Sequence, residues 1–416
     1  MHNDRPLLNR LSWLRTSQGF LNTVVHVPST RWIVFKEGQP LLRSHANAAQ
    51  KSLARLTTKD VRPLLGPEPF FSQGQNEGDL APADVPRLQA ARLCGPPIIF
   101  LGLHEPAGGS GSSDALPSSD FSAKAGAETV IAHIKGTPYF SLDVSDVASS
   151  DVDRVLLDAA VTKEAGELAF TDPKVAMGSF DAFESALFAE ARSMTDWNAR
   201  NKFCPSCGSP VYSLWAGWKL SCSSLLPWAD NTGRKPCRTA QGLHNFEHPR
   251  TDAVVVMAVT NESGDKILLG RNKPWPKNFW SCLSGFLEPG ESFEDAVKRE
   301  LWEEAGVRVW NVRYHSTLPW PFPSTLLTGF YATASSAEPL RTDLDNELED
   351  ARWYTREEIL MVLSAVQDSS SESAPPINIP PPNLPAGMLI REWAHGGEGG
   401  TLGTQGKREE TWTKAF

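Results

Sequence analysis

The chain is 416 residues long with a formal net charge of −9. That length exceeds what one hydrophobic core usually serves, so two large domains and a small third unit are expected. The acidity argues against binding of nucleic acid by bulk electrostatics while leaving room for a local basic groove, and implies that a small anionic substrate meets a bound cation.

The opening, MHNDRPLLNR, lacks the apolar core of a secretory signal, and no stretch approaches the roughly 18 apolar residues of a membrane span. An intracellular protein with no membrane partner is expected. Residues 1–200 carry strand-like runs, Arg31–Phe35 (RWIVF) and Pro97–Leu103 (PPIIFLGL), between Gly- and Pro-rich breaks. This half reads as a mixed α/β domain. Gly108–Asp114 (GGSGSSD) and Pro117–Ser119 are low in complexity and are expected to form a disordered surface loop. Asp181–Asn201 has helical spacing, with Phe183, Leu187, Ala191 and Met194 along one stripe.

Six cysteines lie at 94, 204, 207, 222, 237 and 282, and four of them crowd into residues 201–247. That clustering suits a metal better than a disulfide framework. Cys204-Pro-Ser-Cys207-Gly is a tight pair, whereas Cys222 and Cys237 are separated by fourteen residues that include the turn-forming Asp230–Gly233. Four thiolates predict a tetrahedral zinc, structural because protein fills every coordination position. Cys94 and Cys282 read as ordinary reduced thiols.

Ala253–Val259 (AVVVMAV) is a continuous apolar run of the buried-strand type, and a carboxylate-rich helix is predicted over Ser292–Ala305. On it Glu300, Glu303 and Glu304, at spacings of three and four, share a face. Three like charges so placed call for a divalent cation, and oxygen-only ligands favour magnesium or manganese. Glu291 stands near the helix N-terminus, where the macrodipole favours an anion, and Arg299 two turns on can brace it. Gly285, Gly290 and Gly306 are expected to make tight turns at the helix ends. Thr317–Thr325 (TLPWPFPST) brackets two aromatics with three prolines and reads as a stiff segment presenting aromatic faces. Ser369–Pro385 is a Ser- then Pro-rich linker, and the chain from Gly396 is polar and expected to be disordered.

Residues Gly285–Val307, GFLEPGESFEDAVKRELWEEAGV, match position for position the box of the Nudix hydrolases, which they resemble throughout. Pro319–Pro323 (PWPFP) resembles the hallmark of the NADH pyrophosphatase subfamily, with Thr317, Leu318 and Thr325 where Ser, Gln and Ser are usual. Trp197–Cys204 resembles the approach to that subfamily's zinc ribbon, and Gly136–Phe140 with Leu142-Asp143 its fungal N-terminal domain.

The resemblance implies an α+β chain. An N-terminal Nudix-like α/β domain would occupy residues 1–200, a zinc ribbon 201–247, a catalytic Nudix α/β/α sandwich 248–395 and a tail 396–416. Glu300, Glu303 and Glu304 correspond to the family's metal ligands, with Arg299 beside them in catalysis and Glu347, in Asn346-Glu347-Leu348, as a further ligand. Phe286 corresponds to the aromatic that stacks on nicotinamide. His248 stands where a tyrosine commonly precedes Pro249, and Trp320 and Phe322 join the substrate site. Asn383–Gly387 (NLPAG) replaces an alanine-rich substrate loop.

The implied activity is hydrolysis of the diphosphate of NADH or NAD⁺ to reduced or oxidised nicotinamide mononucleotide and AMP, by a homodimer. Removal of NAD caps from RNA is the alternative, the acidity weighing against a large RNA footprint. A zinc-ribbon adaptor with an inactive Nudix domain is a third reading, against which the intact Glu300, Glu303, Glu304 and Glu347 speak. Family members are often peroxisomal, yet Thr413-Lys-Ala-Phe416 is not a Ser-Lys-Leu-type ending. A cytoplasmic or peroxisomal location is expected.

Overall fold

The computed structural model describes residues 8–45, 51–66, 68–71, 96–105, 126–159, 166–226, 229, 231–233, 237–241, 248–288, 291–344, 347–367 and 377–396. The expectations for Gly108–Asp114, Cys94, Asp230, Gly290, Asn346, residues 369–376 and the tail beyond Gly396 therefore lie outside the described residues. The chain divides into two compact units, Met1–Arg250 with Pro321–Ser324, and Thr251–Trp320 with Thr325–Ala415. No helix among the described residues is long and apolar enough to cross a membrane.

In the first unit, β1 (Arg31–Lys36), β2 (Gln39–His45), β3 (Lys51–Leu53), β4 (Leu56–Thr57), β5 (Ile98–His104), β6 (Thr137–Asp143) and β7 (Gly166–Phe170) form one sheet. Its order is β3-β2-β1-β6-β5, with β4 on β1 and β7 on β2. The β1–β6 pair is parallel and the others antiparallel.

Strand side chains alternate between faces, so an unbroken apolar run such as RWIVF must be covered on both. Trp32 and Val34 join Phe100, Phe140 and the helices Gln18–Val24 and Ser149–Asp158 through Phe20, Val24, Val152 and Val155. Ile33 and Phe35 meet Leu187, Phe188, Ala191 and Met194 of the helix Ala182–Arg200. That helix starts where Asp181 accepts a hydrogen bond from the Glu184 amide at 2.8 Å, a side-chain N-cap. Downstream, β8 (Val211–Leu214) and β9 (Lys219–Cys222) pair as an antiparallel hairpin.

The second unit holds β10 (Asp252–Thr260), β11 (Lys266–Asn272), β12 (Leu283–Phe286), β13 (Val309–Trp320), β14 (Thr325–Ala334) and β15 (Leu348–Thr355). The order is β13-β14-β10-β11-β15 with β12 on β10, and among the described strand pairs only β10–β14 is parallel. Alternation again sorts the core. Val255, Met257 and Val259 pack on Ala296, Val297, Leu301 and Ala305 of the helix Phe293–Ala305. Val254, Val256 and Ala258 share a cluster with Ile359 and Val362 of the helix Arg356–Gln367 and Leu389 and Trp393 of the helix Pro385–Ala394. Helices thus cover both faces of a mixed sheet, the α/β/α sandwich expected from the resemblance.

One local expectation is corrected and another gains detail. The stiff Thr317–Thr325 segment comprises the end of β13 through Trp320, the turn Pro321–Ser324 and the first residue of β14. Proline lacks the N–H that a central strand needs; Pro319 is tolerated because β13 lies at the sheet edge. Pro385–Gly387 of the expected loop begins a helix, with Pro385 in its first turn, where a missing N–H costs nothing. A Cβ on Gly387 would fall 2.1 Å from the Pro381 carbonyl oxygen, so the proline run closes directly over the helix start.

Candidate active site

The carboxylate helix is framed at both ends. The Ser292 side chain accepts from the Asp295 amide at 3.2 Å, and Gly306 at φ 68° closes the C-terminus in the left-handed conformation. Gly285 does a different job from the turn expected of it. It lies inside β12, paired with Val255, and a Cβ there would stand 1.8 Å from Glu300 Cδ. The glycine leaves room for a carboxylate against the strand backbone.

Arg299 organises the rest. Its Nε and Nη2 donate to the two oxygens of Glu291 at 2.6 and 2.9 Å, a bidentate fork. Nη2 also reaches the Phe286 carbonyl at 2.8 Å, and Nη1 donates to Glu300 at 2.8 Å and Glu303 at 3.0 Å. One guanidinium therefore ties the loop after β12 to two of the helix carboxylates. The Arg299 hydrogen bonds, with the Glu288 amide, hold the Glu291 carboxyl down at about 2. Burial pushes Glu300 above the usual carboxylate range; Arg299 opposes this, while the charges of Glu303 and Glu347 add to it. Glu304, on the same helix, is buried at 2% exposure. Glu347, exposed just before β15, accepts from Asn272 Nδ2 at 2.9 Å.

An oxygen-only set of mutually repelling carboxylates fits a hard divalent cation. These groups are more loosely gathered than the thiols: among the described residues only Cys204, Cys207, Cys222 and Cys237 bring their ligand atoms within 4.8 Å of one another. Arg299 stands between Glu300 and Glu303.

In the first unit the thiols of Cys204 and Cys237 lie 3.7 Å apart and those of Cys207 and Cys222 3.4 Å. Tetrahedral bonds of about 2.3 Å to sulfur set neighbouring sulfurs roughly 3.8 Å apart, so the cluster fits a metal ion. The β8–β9 hairpin and the tight Cys204–Cys207 turn deliver it, the Gly208 amide bonding back to the Cys204 carbonyl at 2.8 Å. Burial pushes the Cys204 thiol up to about 12, whereas at Cys207 the Ser209 hydroxyl and amide overcome burial and bring it down to about 6.

The second unit thus joins Glu300, Glu303 and the Phe286 carbonyl at Arg299, with Glu304 on the same helix and Glu347 just before β15; Phe286 is 60% exposed. Trp320 ends β13, half-buried. His248 and Phe322 belong to the first unit. There the His248 ring lies 5.5 Å from Trp215, and the Phe322 ring meets the cations of Arg192 at 5.6 Å and Lys174 at 6.0 Å. Sequence reasoning missed Asn272 and the fit of Glu300 over Gly285, because neither contact is local.

Residues 249–373 match the NUDIX domain and residues 29–197 the NADH pyrophosphatase-like rudimentary NUDIX domain. The NAD-capped RNA hydrolase NUDT12 of Homo sapiens is 41% identical over 210 residues, 50% of this chain and 42% of that protein, so the chain spans less than half the length of this relative. The NAD-capped RNA hydrolase of Schizosaccharomyces pombe is 30% identical over 398 residues, 93% of this chain and 91% of its own. NPY1 of Saccharomyces cerevisiae, also an NAD-capped RNA hydrolase, is 30% identical over 370 residues, 86% and 85% of the two chains. With the Glu300-Glu303-Glu304 helix, the Arg299 brace and these full-length likenesses, the chain belongs to the Nudix hydrolase family, a rudimentary NUDIX domain preceding a NUDIX domain.

Proposed function

We propose that the protein hydrolyses the diphosphate bridge of NADH or NAD⁺, releasing reduced or oxidised nicotinamide mononucleotide and AMP. The observation that carries this is the Arg299-centred set of carboxylates beside an exposed Phe286 ring. Glu300, Glu303, Glu304 and Glu347 would hold magnesium or manganese. A divalent cation held there would supply polarisation of a diphosphate and a lowered pKa for the attacking water. Arg299 keeps the ligand carboxylates in register, and Phe286 offers a flat apolar face to the nicotinamide. Cys204, Cys207, Cys222 and Cys237 would hold a structural zinc.

A second reading, removal of the same NAD from the 5′ end of RNA, is supported by the names of the yeast relatives, which cover nearly the whole chain. The bond cut is the same, so the two readings differ only in whether the adenosine carries an RNA chain. A homodimer in the cytoplasm or peroxisome is part of the proposal on the family resemblance.

The test is metal-dependent turnover of the purified chain, comparing NADH with release of nicotinamide mononucleotide from NAD-capped RNA. Glu303→Gln, which removes one charge at constant volume, is expected to lower both by orders of magnitude with the fold intact. Only a few-fold loss at saturating magnesium or manganese would sink the ligand assignment.

A further inference from the structure

The pairing of β11 with β15 is regular until its last step. Gly270 faces Ala351 and Arg271 faces Asp350, but Asn272 faces Leu348, so Glu349 is an extra residue without a partner in the ladder. A bulge of this kind bends its strand and re-aims the side chains around it. Here it presents two carboxylates, and β11 meets each with a different donor. Arg271 Nη1 takes Glu349 at 2.6 Å, its side chain only 9% exposed and its guanidinium 5.8 Å from the Trp280 ring. The next residue, Asn272, donates Nδ2 to Glu347 at 2.9 Å.

The difference in donors is chemically pointed. A guanidinium fixes a carboxylate by neutralising it, which suits a group anchoring a bulge. A carboxamide fixes one oxygen while adding no charge and never titrating, which suits a carboxylate whose charge is needed elsewhere. Leu348, the residue after Glu347, packs in one cluster with Val297 and Leu301 of the carboxylate helix, so the start of β15 is anchored against that helix.

We propose that Asn272 is a positioning residue: it holds the Glu347 carboxylate toward the divalent cation site from the far side of the β11–β15 bulge, with the Arg271–Glu349 pair fixing the bulge. This rests on the reading of Glu347 as a metal ligand. A partner of this kind changes metal affinity about 10- to 100-fold when removed.

The experiment is titration of the full-length protein with Mn²⁺ alone, monitored by electron paramagnetic resonance, beside steady-state kinetics with NADH. Asn272→Ala is expected to weaken Mn²⁺ binding about tenfold, with KM for NADH changed by no more than about twofold. Glu347→Gln should weaken it at least as much, and adding Asn272→Ala to Glu347→Gln should do nothing more. Asn272→Leu, similar in size and without a donor, gives the same readout should the alanine variant unfold. Wild-type Mn²⁺ affinity in both Asn272 variants, with Glu347→Gln impaired, overturns the positioning role alone. Wild-type affinity in Glu347→Gln, with Glu303→Gln impaired, overturns the ligand reading and the positioning role with it.

Discussion

Gly285→Ala is the sharpest probe of how the site is built, because the added methyl meets one group. The new Cβ would stand 1.8 Å from Glu300 Cδ and 2.1 Å from each of its oxygens, where ordinary contact begins near 3.4 Å. The carboxylate has to retreat by roughly 1.6 Å, losing its 2.8 Å bond from Arg299 Nη1. A misplacement of about 1 Å in a catalytic constellation costs on the order of a hundredfold. Turnover of NADH is therefore expected to fall about a hundredfold or more. The overpacking should cost about 1–3 kcal/mol of stability, well short of unfolding the domain. Removing the obstacle should remove that cost: Gly285→Ala introduced into Glu300→Ala is expected to leave the melting temperature unchanged while activity stays low. Steady-state kinetics and thermal melts of the three variants decide it. Wild-type kcat in Gly285→Ala, or equal destabilisation with and without the Glu300 side chain, would refute the argument that the glycine exists to admit Glu300.

Phe286→Ala should raise KM for NADH about tenfold or more, since a stack is worth roughly 0.5–1.5 kcal/mol beyond its area, and should spare ADP-ribose; equal losses on both substrates would reduce the ring to a packing role. Cys204→Ser should abolish binding of the proposed structural zinc and lower the melting temperature, whereas absence of zinc from the reduced wild-type protein by metal analysis would overturn the ribbon assignment. The Glu291 carboxyl is held at about 2, below its unfolded value, so the Arg299–Glu291 contact contributes stability above the ordinary carboxylate pKa of about 4.3 and loses it as pH falls toward 2. Glu291→Gln should accordingly flatten the acid limb of the melting curve relative to wild type between roughly pH 4.5 and 2, and superimposable limbs would dismiss the contact as energetically silent.

Features set by periodicity were legible from the residues. The run Ala253–Val259 had to be a strand covered on both faces, and Val255 and Val256 indeed point to different clusters. The spacing of Glu300, Glu303 and Glu304 placed them on one helix, with Gly306 as its cap. Proline misled at Pro385: it reads as part of a linker, yet in the first turn of a helix its missing N–H costs nothing. Gly285 misled in a subtler way. A glycine beside a helix suggests a turn, yet this one stays in a strand, and its function shows only when the helix folds back to lay Glu300 against it.

The same limit explains why a recognisable motif underdetermines its own site. The box residues fix which face of the helix is acidic, but the placing of the carboxylates is completed by contacts that helical spacing does not predict. One is the empty space at Gly285, filled by a side chain fifteen positions later; the other is the Asn272 amide, whose partner lies 75 positions away and arrives through the β11–β15 pairing. Asn272 lies outside the 285–307 box altogether, so a chain can keep every motif carboxylate and still lose their arrangement. A residue count of the box therefore cannot distinguish an active Nudix domain from an inactive one. The state of the strand pairing that carries Glu347 is the more discriminating observation.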